Sequence, residues 1–165
     1  MNVMADITRT DTDTAAHLMR DAAAGDSRAT HALLAVVRPI ALRYCRARLG
    51  DRGRLAPDEL AAEVCVAVLA ALPGHAERGG SVLSLVYAIV SRRVTEVLGR
   101  GSGWCAPAVG RLGPLLDRLP RLQQEIIILR VAVGLSAGAT AEMLGLTLET
   151  VRLVQHRALD RMRAN

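Results

Sequence analysis

The sequence contains no lysine and no phenylalanine, and aromatic residues make up only 2% of it. All 21 basic residues are therefore arginine, against 16 acidic residues, and the net charge is +5. Arginine keeps its charge at every relevant pH and forms bidentate contacts with phosphate and guanine, although a GC-rich genome would produce the same bias. The excess of positive charge favours an acidic partner such as nucleic acid or an anionic surface.

Cysteine is scarce and is not spaced as a metal or disulfide framework. Cys45, Cys65 and Cys105 are odd in number and form no CxxC or Cys/His pattern, so neither disulfides nor a zinc site is predicted. The apolar helical neighbours of Cys45 and Cys65 predict that both are small buried hydrophobic residues. Cys105 lies in a glycine-rich stretch and is the one candidate for a reactive thiol.

Several other signals are missing as well. The polar, acidic N-terminus is unlike a signal peptide, and no run of about eighteen apolar residues occurs, so we expect a soluble, cytoplasmic protein without membrane insertion. The four histidines are scattered, and no paired-carboxylate, Ser/His/Asp or Cys/His arrangement stands out. No GKS or GKT follows the glycine cluster. The sequence therefore predicts no enzymatic activity, cofactor or metal site.

What is present is helical periodicity without any strand alternation, which predicts an all-α fold. A chain of 165 residues, 51% of them hydrophobic, can form two small helical domains. We predict a disordered N-terminus over 1–13, a first domain over 14–99, a glycine-rich linker over 100–111 and a second domain over 112–165.

Capping and breaking residues set the predicted helix limits. In the first domain, the predicted helices run from Asp13 or Thr14 to near Gly25, from Asp26 or Ser27 onward with a bend or restart at Pro39, from Pro57 to Pro73, and from Ser81 to Gly99. The segment 74–80 is predicted to be a turn. In the second domain, one helix is predicted to bury a face formed by Leu122, Ile126, Leu129 and Val133.

Residues 134–163 have the layout of a helix-turn-helix. Ser136 caps a short helix, Gly145 permits the left-handed turn that ends it, and Thr147 caps the last helix. The predicted inner face of the last helix holds Leu148, Val151, Gln155, Ala158 and Met162. The residues that face outward are suited to a DNA major groove, although a solvated amphipathic helix would show the same pattern.

Two segments resemble the group IV, or extracytoplasmic-function (ECF), sigma factors of bacterial RNA polymerase, and most closely the sigma-D type of actinobacteria. RPIALRYCRARLG followed by PDELAAEVCVAVLAALPGH is similar to region two. LPRLQQEIIILRVAVGLSAGATAEMLGLTLETVRLVQHRALDRMR is similar to region four. The resemblance covers residues 28–100 and 112–163.

The resemblance implies an all-α protein of two domains that directs transcription initiation. In the family, region two binds the β′ clamp helices of the polymerase core and engages the minus-ten promoter element. Region four reads the minus-thirty-five element and contacts the β flap. An anti-sigma factor that clamps between the domains is the regulator expected by analogy.

The resemblance also implies site residues at matching positions. For polymerase binding these are Asp58, Glu59 and Glu63, and for the minus-ten region they are Arg92, Arg93 and Glu96. For the minus-thirty-five element they are Thr147, Glu149, Thr150, Arg152, Leu153, His156, Arg157 and Arg161, with Arg161 and Arg163 suited to phosphates.

The chain departs from the family pattern at several positions. Ala62 replaces the usual Gln, and Val82 and Leu85 stand where aromatic residues are common. Gly138 and Ala139 replace the frequent Glu of the short helix, which lowers its helix propensity. The linker of about a dozen residues spans at most roughly 40 Å when fully extended, which is less than the separation of the two promoter elements.

Two other functions are compatible with these residues. One is a stand-alone helix-turn-helix regulator whose N-terminal helices dimerise or sense a ligand, which would bind an operator without core polymerase. The other is a degenerate sigma factor that occupies polymerase or an anti-sigma factor without opening promoters.

Overall fold

The computed structural model of the protein describes residues 11–49, 56–99 and 113–164. These residues form α-helices and one π-helical turn, and no strand occurs within them. The helices are α1 (Asp11–Ala23), α2 (Ser27–Leu49), α3 (Pro57–Glu77), α4 (Val82–Leu98), α5 (Gly113–Leu116), α6 (Arg121–Ile127), α7 (Ala137–Leu144) and α8 (Leu148–Arg163), with the π turn Ile128–Val133 directly after α6. The all-α prediction is confirmed.

Side-chain caps at predicted positions begin four of the eight described α-helices. The Asp26 carboxylate accepts the amide of Ala29 at 2.8 Å and so caps α2. Ser81 caps α4 through the amides of Leu83 and Ser84. These side chains satisfy amides that have no partner within the helix, and the predicted starts near Asp26 and Ser81 are confirmed.

The predicted start of the first helix, the predicted restart at Pro39 and the predicted helix end at Pro73 are wrong. Helix α1 begins at Asp11, so the end of the segment predicted as disordered is helical; acidic residues near a helix start favour this. Pro39 lies inside the continuous helix α2. Helix α3 passes through Pro73 and ends at Glu77, because proline removes a single helical hydrogen bond and tertiary packing holds the last turn. Residues 1–10 and the predicted linker 100–111 lie outside the described residues.

Residues 123–129 are all buried, contrary to the single buried face predicted for this helix. Ile126, Ile127, Ile128 and Leu129 are all at most 2% exposed, while Leu122, at the start of α6, is 42% exposed. The π turn, with its wider winding, ends at the left-handed Gly134. A helix that is enclosed by neighbours is apolar on all sides and has no single apolar stripe. The periodicity of apolar residues therefore could not define a buried and an exposed face.

The main hydrophobic core contains residues from both ends of the chain. We call residues 11–99 the first half and residues 113–164 the second half, within the described ranges. In the first half the core is built by α2, α3 and α4 with Met19 of α1. From the second half, Ile128, Leu129, Val133, Leu135 and Met143 enter the same core. Smaller clusters stabilise the second half itself, around Leu116 with Ala158 and around Ile126 with Val151.

Helix α3 is the one described helix that is long and apolar enough to cross a membrane by length and composition. One face of the helix is used inside the protein, since Leu60, Val64, Val68 and Leu72 are buried and pack in the main core. Core helices of soluble proteins pass the same test. Packing against α2 and α4 accounts for this buried face, whereas Val66 on another face is 68% exposed.

Candidate nucleic-acid interface

Helices α7 and α8 form the predicted helix-turn-helix, and local residues hold its geometry. Ser136 accepts the amide of Ala139 at 3.0 Å, and Thr147 accepts the amide of Thr150 at 3.1 Å. Gly145 between the helices has φ +66°, a backbone conformation that favours glycine over residues with a Cβ. All three sequence predictions for these positions are confirmed.

Helix α8 has one buried and one open face. Val151 and Ala158 are fully buried, and Gln155 is half-buried and accepts from Arg130 Nε at 3.0 Å. Leu148, which was predicted to face inward, is 39% exposed. It is the first residue of the helix, where the turn carries the chain away from the core. The inner face is therefore shorter than the sequence predicted.

The open face of α8 carries the side chains that were predicted to reach DNA. Glu149, Arg152, Leu153, His156 and Arg157 are exposed. Among the described residues, none forms an ion pair with Arg152 or Arg157. Since a guanidinium without an internal partner keeps all its donors available, these two arginines can contact a base edge or a phosphate.

Other predicted residues of this helix already have partners in the protein. His156 and Arg163 both contact the carboxylate of Asp160, at 3.3 and 3.7 Å. Arg161 donates to the side chain of Gln123 at 3.1 Å, which fixes the end of α8 to α6. Thr147 and Thr150 bond each other through their hydroxyl groups at 2.8 Å. The threonines thus have a capping role that is independent of DNA.

The predicted minus-ten residues lie together near the end of α4. Glu96 contacts Arg92 at 3.5 Å and Arg93 at 3.3 Å, so this exposed cluster carries a net single positive charge. Val82 and Leu85, which occupy positions where the family often has aromatics, are buried. In this arrangement they are core residues and cannot stack on a base.

The predicted polymerase residues lie at the start of α3. Asp58 is paired with Arg46 of α2 at 3.3 Å, and both side chains are 59% exposed. Glu59 and Glu63 are also exposed, and no ion pair involves them within the part of the chain that the structure describes. Both thus remain available to an external partner.

A buried polar network joins the two halves, and sequence reasoning missed it. Arg48 of α2 donates to Glu125 of α6, and their side chains are 7% and 4% exposed. The Tyr44 hydroxyl donates to the same carboxylate at 3.1 Å. Tyr87 packs edge to face on Tyr44, with ring centroids 6.1 Å apart. The signal in the sequence was Arg48 in the helical stripe of Leu33, Val37 and Tyr44, but a lone arginine does not identify its partner.

Burial changes the acid–base chemistry of this network. Desolvation raises the pKa of the Glu125 carboxyl above its usual range, while the charge of Arg48 opposes the shift. Burial also raises the pKa of Tyr44, with the Glu125 charge acting in the same direction. For Tyr87 burial and Glu125 raise the pKa to about 12. Both tyrosines are therefore hydrogen-bond donors at neutral pH.

The cysteines behave as predicted where the structure describes them. Cys45 is fully buried and Cys65 is 9% exposed, and both are free thiols. Burial raises the pKa of Cys45 to about 12 and raises that of Cys65 in the same direction. Cys105 lies outside the described residues. No group of three potential metal ligands occurs among the residues that are described.

Comparison with known proteins assigns the family. Residues 115–164 match the family described as sigma-70, region 4. The chain is 40% identical over 171 residues to the ECF RNA polymerase sigma factor SigD of Mycobacterium tuberculosis, which covers 88% of this chain and 81% of that protein. It is 41% identical over 177 residues to the ECF RNA polymerase sigma factor ShbA of Streptomyces griseus, with 89% and 92% covered.

A solved structure supports the fold. The structure of CnrH in complex with the cytosolic domain of CnrY is similar with a TM-score of 0.62 and 24% sequence identity, over 92% of this chain and 96% of that chain. The likeness extends over both halves, as the sequence matches do. On this evidence the chain belongs to the ECF sigma factors of bacterial RNA polymerase.

Proposed function

We propose that this protein is an alternative sigma factor that binds core RNA polymerase and directs it to promoters through the minus-ten and minus-thirty-five elements. The observation that carries the proposal is the open face of α8, a capped recognition helix whose Arg152 and Arg157 have no ion-pair partner among the described residues. It acts by binding and positioning, without catalysis of its own. Its place is the cytoplasm, where polymerase and promoters are found.

The minus-thirty-five element is proposed to bind along the outer face of α8. Arg152 and Arg157 are suited to guanine or phosphate, Glu149 to the amino group of cytosine, and Leu153 to a thymine methyl group. Half of the surface of Leu153 is exposed, an unfavourable state in water that an apolar contact relieves. The remaining proposed contacts are Thr147, Thr150, His156 and Arg161.

The minus-ten region is proposed to bind beside Arg92, Arg93 and Glu96 on α4. Arg92 is the most open of the three, with 67% of its side chain exposed. Because Val82 and Leu85 are buried, this contact is mainly electrostatic and depends on salt.

Polymerase is proposed to bind the acidic start of α3 through Glu59 and Glu63, with Asp58 beside them. The exposed Ala62 and Val66 lie next to these carboxylates on the same helix, so the surface offers an apolar strip with acidic residues on one side.

We further propose an anti-sigma factor as the regulator and a division into domains at 14–99 and 112–165. The structural likeness to CnrH, which was solved in complex with the cytosolic domain of CnrY, supports a protein regulator.

The test is transcription with purified core polymerase. The protein should co-elute with core polymerase and support run-off transcription from a promoter selected by genomic binding. The double variant Glu59→Ala/Glu63→Ala should lose co-elution, whereas Glu77→Ala, an exposed acidic residue at the other end of α3, should retain it.

The alternatives give different results in the same experiment. DNA binding without co-elution would indicate a stand-alone regulator. Co-elution without transcripts would indicate a degenerate sigma factor that acts only through its protein contacts. The proposal would be abandoned if neither polymerase nor an anti-sigma factor bound.

A further inference from the structure

The contact between the two halves combines an apolar core with polar bonds at three places. Arg48 and Glu125 form the buried ion pair. Arg43 donates to the carbonyl of Val133 at 3.1 Å. Ser81, before α4, donates to the carboxylate of Glu142 on α7. Since each bond joins residues far apart in sequence, each exists only while the halves are together.

The ion pair is held by further bonds rather than by its charges alone. Tyr44 donates to Glu125 at 3.1 and 3.3 Å and accepts from Arg48 Nε at 3.3 Å. The guanidinium carbon of Arg48 lies 5.6 Å from the centroid of the Tyr44 ring, a distance suited to a cation–π contact. The geometry of this buried pair is therefore fixed on both sides.

We infer that the Arg48–Glu125 pair is a conformational lock, which holds the two halves together in the free protein and breaks when they separate. Its role on a promoter rests on the proposed function, because the two halves can reach two separate DNA elements only after they part. The lock itself is a property of the protein alone.

An ion pair is suited to a contact that must open. Buried charges lose hydration, so a buried pair adds little net stability compared with well-packed apolar residues, although removal of one partner is strongly destabilising. When the halves separate, both ions regain water. The pair thus fixes the register of the closed state and makes separation less costly than an apolar contact in the same place would.

Closure fixes the two proposed DNA surfaces relative to each other and leaves both exposed. Helix α4 packs against α7, and the Ser81 contact with Glu142 lies at the start of α4. The outer face of α8 remains exposed. The closed protein can therefore dock α8 on DNA, but Arg92, Arg93 and Glu96 near the end of α4 can move to the distance of a second element only after the lock opens.

Small-angle X-ray scattering of the free protein tests the lock. A compact chain of this length has a radius of gyration of about 15 Å, and separation of the two halves raises this value because their mass moves away from the common centre. We expect Glu125→Ala, which leaves the buried charge of Arg48 without its carboxylate, to expand the protein. The double variant Arg48→Met/Glu125→Leu should remain compact, because its apolar side chains fill the same space. Arg20→Ala, which removes one exposed arginine of α1, is the matched control and should not expand.

A second variant covers the case in which Glu125→Ala fails to fold. Circular dichroism would report lost helix, and Glu125→Gln would then serve, since it keeps the size of the side chain and removes only its charge. We expect it to expand the protein, by less than Glu125→Ala. The lock would be disproved if the folded single variants were as compact as the wild type, or if the double variant expanded as they do.

DNA binding separates this inference from the proposed function. The double apolar variant should bind a DNA fragment with both promoter elements at least threefold more weakly than wild type in the presence of polymerase. Its binding to a fragment with the minus-thirty-five element alone should be unchanged. Scattering uses neither DNA nor polymerase. If the variants expand as expected but the wild-type protein binds no promoter, the proposed function is rejected and the lock is kept. If the double apolar variant bound both fragments as tightly as the wild type does, the role of the lock on promoters would be overturned.

Discussion

At the scale of single residues, burial decides which side chains keep their ordinary chemistry. Arg48 and Arg152 are both helical arginines, yet Arg48 is enclosed with Glu125 while Arg152 is exposed. The sequence identified Arg152 as outward-facing from its position opposite Val151 and Ala158. It gave no means to find Glu125 as the partner of Arg48, because the two residues lie 77 positions apart.

Arg152 and Arg161 should have different effects on DNA binding. Arg152→Ala should lower discrimination at one base position by about 1 to 3 kcal/mol if the side chain makes a bidentate base contact. Arg161→Ala should weaken binding to all sequences alike and reduce the salt slope by about 1. Gel-shift titrations on a set of single-base variants at several salt concentrations measure both. Equal, sequence-independent losses would contradict a groove contact by Arg152.

Cys45 should make the protein less stable in alkaline solution. Burial raises the pKa of its thiol from 9.0 in the unfolded chain to about 12 in the fold. Between these values the unfolded state loses the proton and the folded state keeps it, so the free energy of unfolding falls as pH rises. The fall is up to about 1.4 kcal/mol per pH unit. Below the unfolded pKa the stabilisation is fully present.

Urea unfolding of Cys45→Ala between pH 8 and 9.5 checks this dependence. The variant should be less stable at pH 8 but lose less stability as the pH rises. Val64→Ala, a change at another fully buried position without a titratable group, should keep the wild-type slope. An unchanged slope in Cys45→Ala would show that this thiol is not responsible.

At the scale of elements, local signals predicted helix starts better than helix ends. Ser81, Ser136 and Thr147 each cap a helix as predicted, since a cap acts within one turn of its own position. Pro39 was predicted to bend or restart its helix and Pro73 to end one, and in the structure the helix continues past each proline. A helix that gains buried contacts on both sides of a proline continues past it despite the missing hydrogen bond.

Helix α7 should tolerate a stronger helix former at Gly138. A Cβ there would meet only Ser136 Oγ at 3.8 Å, so Gly138→Ala should stabilise the protein by roughly 0.5 to 1 kcal/mol through a less flexible unfolded chain. Gly134→Ala is the contrasting variant, because φ is +82° and the change should destabilise by about 1 to 2 kcal/mol. Thermal unfolding compares the two, and a loss of stability in Gly138→Ala would contradict the expected gain.

At the scale of the whole molecule, the halves depend on each other for burial. Ile128, Leu129, Val133, Leu135 and Met143 belong to a core that is mostly formed by the first half. A sequence can show that these residues are apolar, but it cannot show that their neighbours come from α2 and α4. The predicted division into two domains says nothing of this shared core.

A fragment of residues 113–165 should therefore be less stable than the same segment in the full chain. It would expose five apolar side chains, each of which contributes about 1.5 to 3 kcal/mol when fully buried. We expect a lower midpoint of thermal unfolding and stronger binding of a hydrophobic dye than for the full chain. Cooperative unfolding at the full chain's temperature would instead show that the second half is an autonomous domain.

The helix-turn-helix was determined by the sequence itself, because Ser136, Gly145, Thr147 and the spacing of Val151 and Ala158 act over a few residues. The family was likewise readable from short motifs. The contact between the halves was decided by tertiary structure alone, since it depends on distances across the chain that no local pattern encodes. The same contact determines which surfaces are open, with the face of α8 exposed and the start of α4 covered.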